Sequence, residues 1–277
     1  RGLGDVFKRQ DLRRDITCCP FQWTKGVQTL QSFKSWSFGK LRYEWTNRMI
    51  PTGNDDGINR QYMRYADIVL MRAELENELN GASAAVPYLT KIRNRAFATS
   101  DRATEVTAYV AEAALSKEKM FQAIVDERAY EFAGELIRKA DLIRWGMLKS
   151  KMDETKNKMK AIVSLTDYDS KHPYSQLSGH AYYKMSAYTW TRNGIETTEK
   201  DAKLNLYGLN YGEMDINPEG YTEFSDSKGE ASTWIKDNAL EDVIDYLYVR
   251  DPDKYQYWPI FNVNLNDNPN LSNYEWY

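Results

Sequence analysis

Apolar residues settle into a helical rhythm only after residue 61. Tyr62, Ala66, Val69, Leu70 and Ala73 recur at i, i+4, i+7, i+8 and i+11, the stripe of an amphipathic helix. Gly81 supplies a stop, and Ser83 reads as the N-cap of a second helix, with Pro87 near its first turn. Val86, Leu89, Ile92 and Ala96 form the second stripe. The pair from Arg64 to Phe97 has roughly the 34 residues of a tetratricopeptide unit. A third helix opens near Ser116 and runs to about residues 133–134, with Met120, Phe121, Ile124, Val125 and Phe132 as its apolar side. A fourth is predicted from about Glu135 to Lys149, with Leu136, Ala140, Ile143 and Met147 on one face. Two helical hairpins of this kind make a mainly α core.

The rhythm is lost on either side. Residues 1–57 are aromatic and polar, closed by the turn-rich run from Pro51 to Gly57. Within them, 35–46 predicts a short strand or two. From Leu165 to Trp234 tyrosine and glycine abound and no period holds, which predicts a long excursion of loops and short pieces. The tail from Tyr246 is rich in Asn, and Pro252, Pro259 and Pro269 block helix there. The predicted organisation is one mainly α domain over 1–277. An aromatic-rich loop region spans 1–57, helical hairpins span 58–149, and the excursion and extended tail span 150–277.

Composition narrows the chemistry. A net charge of −3 gives no support to nucleic-acid binding, which runs on excess positive charge. The longest aliphatic run, Ile68 to Met71, is far too short to cross a bilayer. With 2 His and 2 Cys, sites built on histidine clusters or cysteine cages are nearly excluded. Cys18 and Cys19 are adjacent, and neighbouring Cα atoms sit closer than a disulfide ordinarily allows. They read as two buried thiols. No phosphate-binding glycine loop, dinucleotide fingerprint or zinc-protease motif occurs, so the sequence calls for no cofactor and no metal.

Two constellations remain. Glu127, Glu131 and Glu135 lie at i, i+4 and i+8, one helix face of carboxylates. That spacing suits a metal site, a glycosidase-like acid/base pair or an ion-pair network. The nearby Arg93, Arg95, Arg128, Arg138 and Arg144, with no histidine among them, favour the network. His172 and His180 stand in the excursion and read as surface histidines. The other constellation is the aromatic surplus, 20 Tyr and 8 Trp. A tyrosine or tryptophan offers a flat apolar face with a hydrogen-bonding edge, the combination a sugar ring needs. Trp23, Trp36, Tyr188 and Trp190 lie outside the helical stripes and are the candidate ligand-binding residues.

Several segments, in order, resemble the SusD/RagB family. The helix Arg64-Tyr65-Ala66-Asp67-Ile68-Val69-Leu70-Met71-Arg72-Ala73-Glu74 is similar to the family's first matching helix, with Gly39-Lys40-Leu41-Arg42 upstream. Downstream come Ile92-Arg93-Asn94-Arg95-Ala96, then Ile124 through Glu135, then Asp141-Leu142-Ile143-Arg144-Trp145-Gly146. Trp258-Pro259-Ile260 and Asn268-Pro269-Asn270-Leu271 resemble the family's closing segment. The excursion resembles nothing in the family. The resemblance implies a cell-surface lipoprotein of a Gram-negative outer membrane that binds a glycan, or in some members a peptide, and caps a TonB-dependent SusC-like transporter. It implies a tetratricopeptide-like helical fold, no enzymatic activity, and a C-terminal portion whose lipid anchor lies outside this chain. A secreted glycoside hydrolase is the alternative outside the family. The matched residues are helix-packing and ion-pair residues, so the resemblance transfers no ligand residue.

Overall fold

The computed structural model describes residues 11–19, 21–24, 27–30, 37–41, 61–170, 172–176, 182–192, 195–205, 222–223, 240–257 and 259–273. Helix dominates the described residues. The centre is the hairpin of α2 (Tyr65–Asn80) and α3 (Ala82–Ala96), capped by Arg64 at one end and Phe97 at the other. Those are the bounds the periodicity predicts. Ala66, Val69, Leu70 and Ala73 of α2 are buried with Ala85, Leu89, Ile92 and Ala96 of α3. The alanines let the two backbones approach, and the fully buried Leu70 and Leu89 fill the seam. Burying such a side chain is worth about 1.5–3 kcal/mol.

Three details of the hairpin differ from expectation. Tyr62 precedes α2 and is 96% exposed, so it is no part of the stripe. Gly81, at φ +87°, is at once the C-cap of α2 and the N-cap of α3. That conformation suits a residue without Cβ and leaves no room for a longer turn. Ser83 is therefore inside α3 rather than its cap, and Pro87 sits a turn deeper, where it removes one helical hydrogen bond.

A short 3₁₀ turn (Thr99–Asp101) leads into a π-helical stretch (Ala103–Ala108) that continues as α4 (Tyr109–Ala113), a segment the periodicity does not reveal. Its Val106 and Val110 join the core of the hairpin. Helix α5 (Lys117–Glu131) starts where expected, with Ser116 Oγ accepting from the Lys119 amide at 3.1 Å. It buries Met120 and Ile124 against the hairpin. It ends at Glu131, because the chain turns left-handed at Gly134 and again at Leu136. Leu136 is 84% exposed and outside any helix. The single fourth helix is instead two. A short α6 (Arg138–Arg144) stops before Gly146, whose φ is +64°, and a long α7 (Leu148–Val163) begins just beyond.

The aromatic N-terminal region contains regular structure. Helix α1 (Leu12–Thr17) is capped by Asp11 and runs into β1 (Cys18–Cys19), which pairs antiparallel with β4 (Ser37–Phe38). Both cysteines are buried, and neither is in a disulfide. Between them β2 (Phe21–Thr24) and β3 (Val27–Leu30) form a hairpin. The excursion likewise holds a ladder in place of loops alone. Strands β5 (Tyr182–Arg192) and β6 (Ile195–Asn205) pair along their full length, and β7 (Thr222–Glu223) joins β5 at its start. The short helices α8 (Leu240–Asp245) and α9 (Asn262–Asp267) end the described chain. None of the described helices is long and apolar enough to cross a membrane. The Pro51–Gly57 turn, His180, Trp258 and residues 274–277 lie outside the described residues.

Candidate functional site

Helix α5 lays Glu127 and Glu131 on one face, and the turn after it brings in Glu135. Bases from four separate elements converge on them. Arg13 of α1 places Nη1 2.7 Å from Glu127 Oε1 and 2.9 Å from Glu131 Oε2. Arg93 of α3 places Nη1 2.7 Å from Glu127 Oε2. Arg64, the cap of α2, holds Glu131 at 2.5 Å and Glu135 at 2.8 Å, and Arg95 also pairs with Glu131. Lys40, just after β4, holds Glu135 at 2.6 Å. Lys40 Nζ and Arg64 Nη2 also donate to the Glu131 carbonyl at 2.6 and 2.7 Å. Cations thus seat on the negative end of the α5 dipole and satisfy a last-turn carbonyl.

The three carboxylates are engaged by guanidinium and ammonium groups, so the geometry is an ion-pair lattice. Among the described residues no group of His, Cys, Asp or Glu is arranged to hold a metal ion. Of the arginines singled out from sequence, Arg93 and Arg95 join this lattice. Arg128 instead bridges Asp67 and Asp141 at 2.7 and 2.8 Å in a second buried network. Arg144 reaches Asp141 and Glu74, and Arg138 donates to the Val125 carbonyl. Arg13, Lys40 and Arg64 are distant in sequence from the acids they bind. Lys40 and Arg64 do stand in the family-like segments, which was the available signal; Arg13 had none.

Burial raises the Glu131 carboxyl, but Arg13, Arg64 and Arg95 outweigh it and hold it below the usual glutamate range. Burial likewise opposes the Arg64 and Lys40 bonds at Glu135, and the bonds again prevail. On α7, Glu154 is held at about 2 by Lys151 and Lys158 against partial burial. Asp11 runs the other way, raised by burial despite Arg13. Depressed carboxylates stabilise the fold above their unfolded pKa and lose that contribution as pH falls through the folded one. Urea midpoints are therefore expected to stay level from pH 7 to about 5, then drop steadily from about 4.5 toward 2. Asp11 offsets a small part of this. A midpoint that stays level down to pH 3 contradicts the lattice.

His172 is a local staple. The Lys158 ammonium, which can only donate, lies 3.0 Å from Nε2, so Nδ1 carries the proton and donates to Asp169 at 2.7 Å. With Nε2 so occupied, the ring is not set up as a general base for a nucleophile.

Three of the four candidate ligand residues fall on strands rather than loops. Trp23 is in β2 and pairs in register with Gln28 of β3. Tyr188 and Trp190 are in β5, opposite Glu199 and Thr197 of β6. Trp36 lies outside the described residues. Strand β3, of the hairpin carrying Trp23, touches β6, of the hairpin carrying Tyr188 and Trp190, although the two hairpins belong to separate sheets. The dipeptide Asn193-Gly194 between the paired ends Arg192 and Ile195 was the sequence signal for the long hairpin, since it favours two-residue connections.

Among the described residues, a helical hairpin locked by buried charge forms the scaffold. Residues 28–277 match the model of the SusD family, and the chain belongs to that family. It is similar to a SusD-like protein P25 of Formosa agariphila, 48% identical over 90 residues, which are 32% of this chain and 16% of that relative. The matched stretch thus spans a small part of the relative's length. No solved structure matches the chain.

Proposed function

We propose that this protein captures an oligosaccharide or polysaccharide at the outer-membrane surface and passes it, uncleaved, to a SusC-like TonB-dependent transporter. The family match over residues 28–277 carries this reading. In it, the natural protein is held at the cell surface by a lipid anchor. Trp23, Trp36, Tyr188 and Trp190 form the stacking platform. The contact between β3 and β6, which brings the two hairpins together, supports it. An aromatic ring stacks on the C–H face of a sugar while its polar edge stays available.

Glycan-array binding followed by calorimetry tests the proposal. A lone glycan site of millimolar affinity amounts to about −4 kcal/mol. One aromatic anchor supplies about 2 kcal/mol of it. Each single substitution of Trp23, Trp36, Tyr188 or Trp190 by Ala is therefore expected to weaken binding about thirtyfold with an unchanged melting temperature. Normal binding by all four variants removes the platform. Binding of a peptide library with no glycan hit makes the protein a peptide-binding member, and reducing ends released from a polysaccharide make it a hydrolase.

A further inference from the structure

Cys18 and Cys19 make up the whole of β1, and both are buried, at 2% and 5% exposure. Their strand pairs with β4, Cys18 opposite Phe38 and Cys19 opposite Ser37. Cys18 is also the C-cap of α1, in extended backbone at φ −88° and ψ 90°. Successive side chains of an extended strand project to opposite faces. The two sulfurs therefore point apart. The Cα atoms of neighbours, about 3.8 Å apart, are also nearer than the roughly 4.4 Å at which ordinary bridges begin. A bond between these sulfurs requires the peptide between them to leave the strand.

That strand stands between two anchors. Upstream, Arg13 of α1 holds Glu127 and Glu131, and Asp11 forms a backbone bridge with Phe97. Downstream, Lys40 holds Glu135 and the Glu131 carbonyl. Strand β4 connects the two. The Phe38 ring lies against Gly134, where an added Cβ would meet it at 2.7 Å, and the Gly39 amide donates to the Thr17 carbonyl at 3.0 Å. The pairing of β1 with β4 thus sets Arg13 and Lys40 in register on the same end of α5.

We propose that the Cys18–Cys19 pair is a redox latch: the dithiol lets α1, β1 and β4 dock on the glutamate lattice, and a disulfide between the two cysteines holds that segment off it. Burial protects the dithiol while the segment is docked, because exchange needs a thiolate that can reach the attacking disulfide. When the segment opens, a small disulfide such as oxidised glutathione serves as the oxidant. One cysteine thiolate attacks it and releases one glutathione. The neighbouring thiolate then attacks the protein-side sulfur of the mixed disulfide and releases the second. The protein loses two protons and two electrons, and oxidised glutathione takes them up as two thiols. The new bond pulls the backbone at 18–19 out of its extended form. Strand β1 then no longer matches β4, and Arg13 and Lys40 lose their common register. The latch is independent of what the protein binds.

The test uses the whole 277-residue chain. It is unfolded in urea, exposed to oxidised glutathione and refolded by dilution, beside a sample kept in dithiothreitol. Intact mass identifies the product, and deuterium exchange with a thermal melt reports docking. A product lighter by two hydrogens is expected, with protection lost at 11–19 and 37–40, kept in α2 and α3, and regained on reduction. Its melting temperature is expected to fall by at least about 2–4 °C. In the chain that has never been unfolded, dithionitrobenzoate is expected to react with the pair at least about tenfold more slowly than in urea, and Lys40→Met, which frees one anchor, is expected to narrow that gap. The double variant Cys18→Ala with Cys19→Ala is expected to dock equally with and without oxidised glutathione, so a loss of protection in it under oxidant counts against the latch. An internally bonded pair whose protection and melting match the dithiol overturns the proposal. So does a chain that stays dithiol or carries only a glutathione adduct, and so does equal thiol reactivity in the folded and unfolded chain.

Discussion

Glu127→Gln is expected to cost about 3–5 kcal/mol of folding stability, the penalty for leaving buried charge uncompensated. Glu127 is 0% exposed and receives Arg13 on one oxygen and Arg93 on the other, both at 2.7 Å. Glutamine keeps the shape but removes the negative charge, and it turns an amide N–H₂ toward a guanidinium that can only donate. Arg93 cannot swing away to water, because its ring contacts with Phe97 and Tyr109 and its bonds to the Glu105 carbonyl hold it in place. The control is Arg95→Met. That side chain is 57% exposed and is one of three partners of Glu131, so its loss is expected to cost less than about 1 kcal/mol. Urea unfolding at pH 7 followed by far-UV circular dichroism decides. A loss below about 1 kcal/mol in Glu127→Gln means the lattice contributes little.

Leu89→Ala is expected to cost about 2–5 kcal/mol, from lost transfer energy plus the cavity left behind. Leu89 is fully buried where α2, α3 and α5 meet, among Leu70, Ala73 and Ile124 of the same core. Small alanines already line that core, so few side chains can expand into the gap. Leu79→Ala on α2 makes the comparison, because Leu79 is 76% exposed and its truncation should stay within about 0.5 kcal/mol. Equal effects of the two substitutions refute this placement of the core.

The central hairpin was legible in the sequence because its helices bury one stripe each, and burial every third or fourth residue leaves a periodic mark. Ser116 announced α5 for a local reason, a hydroxyl that caps its own helix. The failures have equally physical causes. Gly146 breaks a run of good helix formers with one left-handed residue, so α6 and α7 read as a single helix that stopped too soon. The π-helical stretch at Ala103–Ala108 has a period that a 3.6-residue template does not register. The long hairpin of the excursion alternates tyrosine and threonine with charge on both faces, so no clean apolar/polar period appears even though the strands pair fully.

The site was legible in part. The three glutamates were visible as a helix face and the arginines as their partners, since charges of one sign in a core need the other. Which basic residues could not be read locally, because Arg13, Lys40 and Arg64 reach the acids only through tertiary packing. The candidate ligand aromatics were singled out by exclusion from the helical stripes. Their strand register exists only once the hairpins are paired.

The Arg13–Glu127 pairing has a consequence for biosynthesis. Its partners are 114 residues apart, while α2 and α3 are neighbours in sequence. Contacts at short separation form early, and those closing long loops wait. On a growing chain, Arg13 is made long before the carboxylate that will hold it, and α2 and α3 are made, and can zip together, in between. The segment with α1, β1 and β4 therefore docks late, onto a helical surface completed after it, and during that interval the two cysteines, buried in the finished fold, are open to any oxidant or thiol they meet.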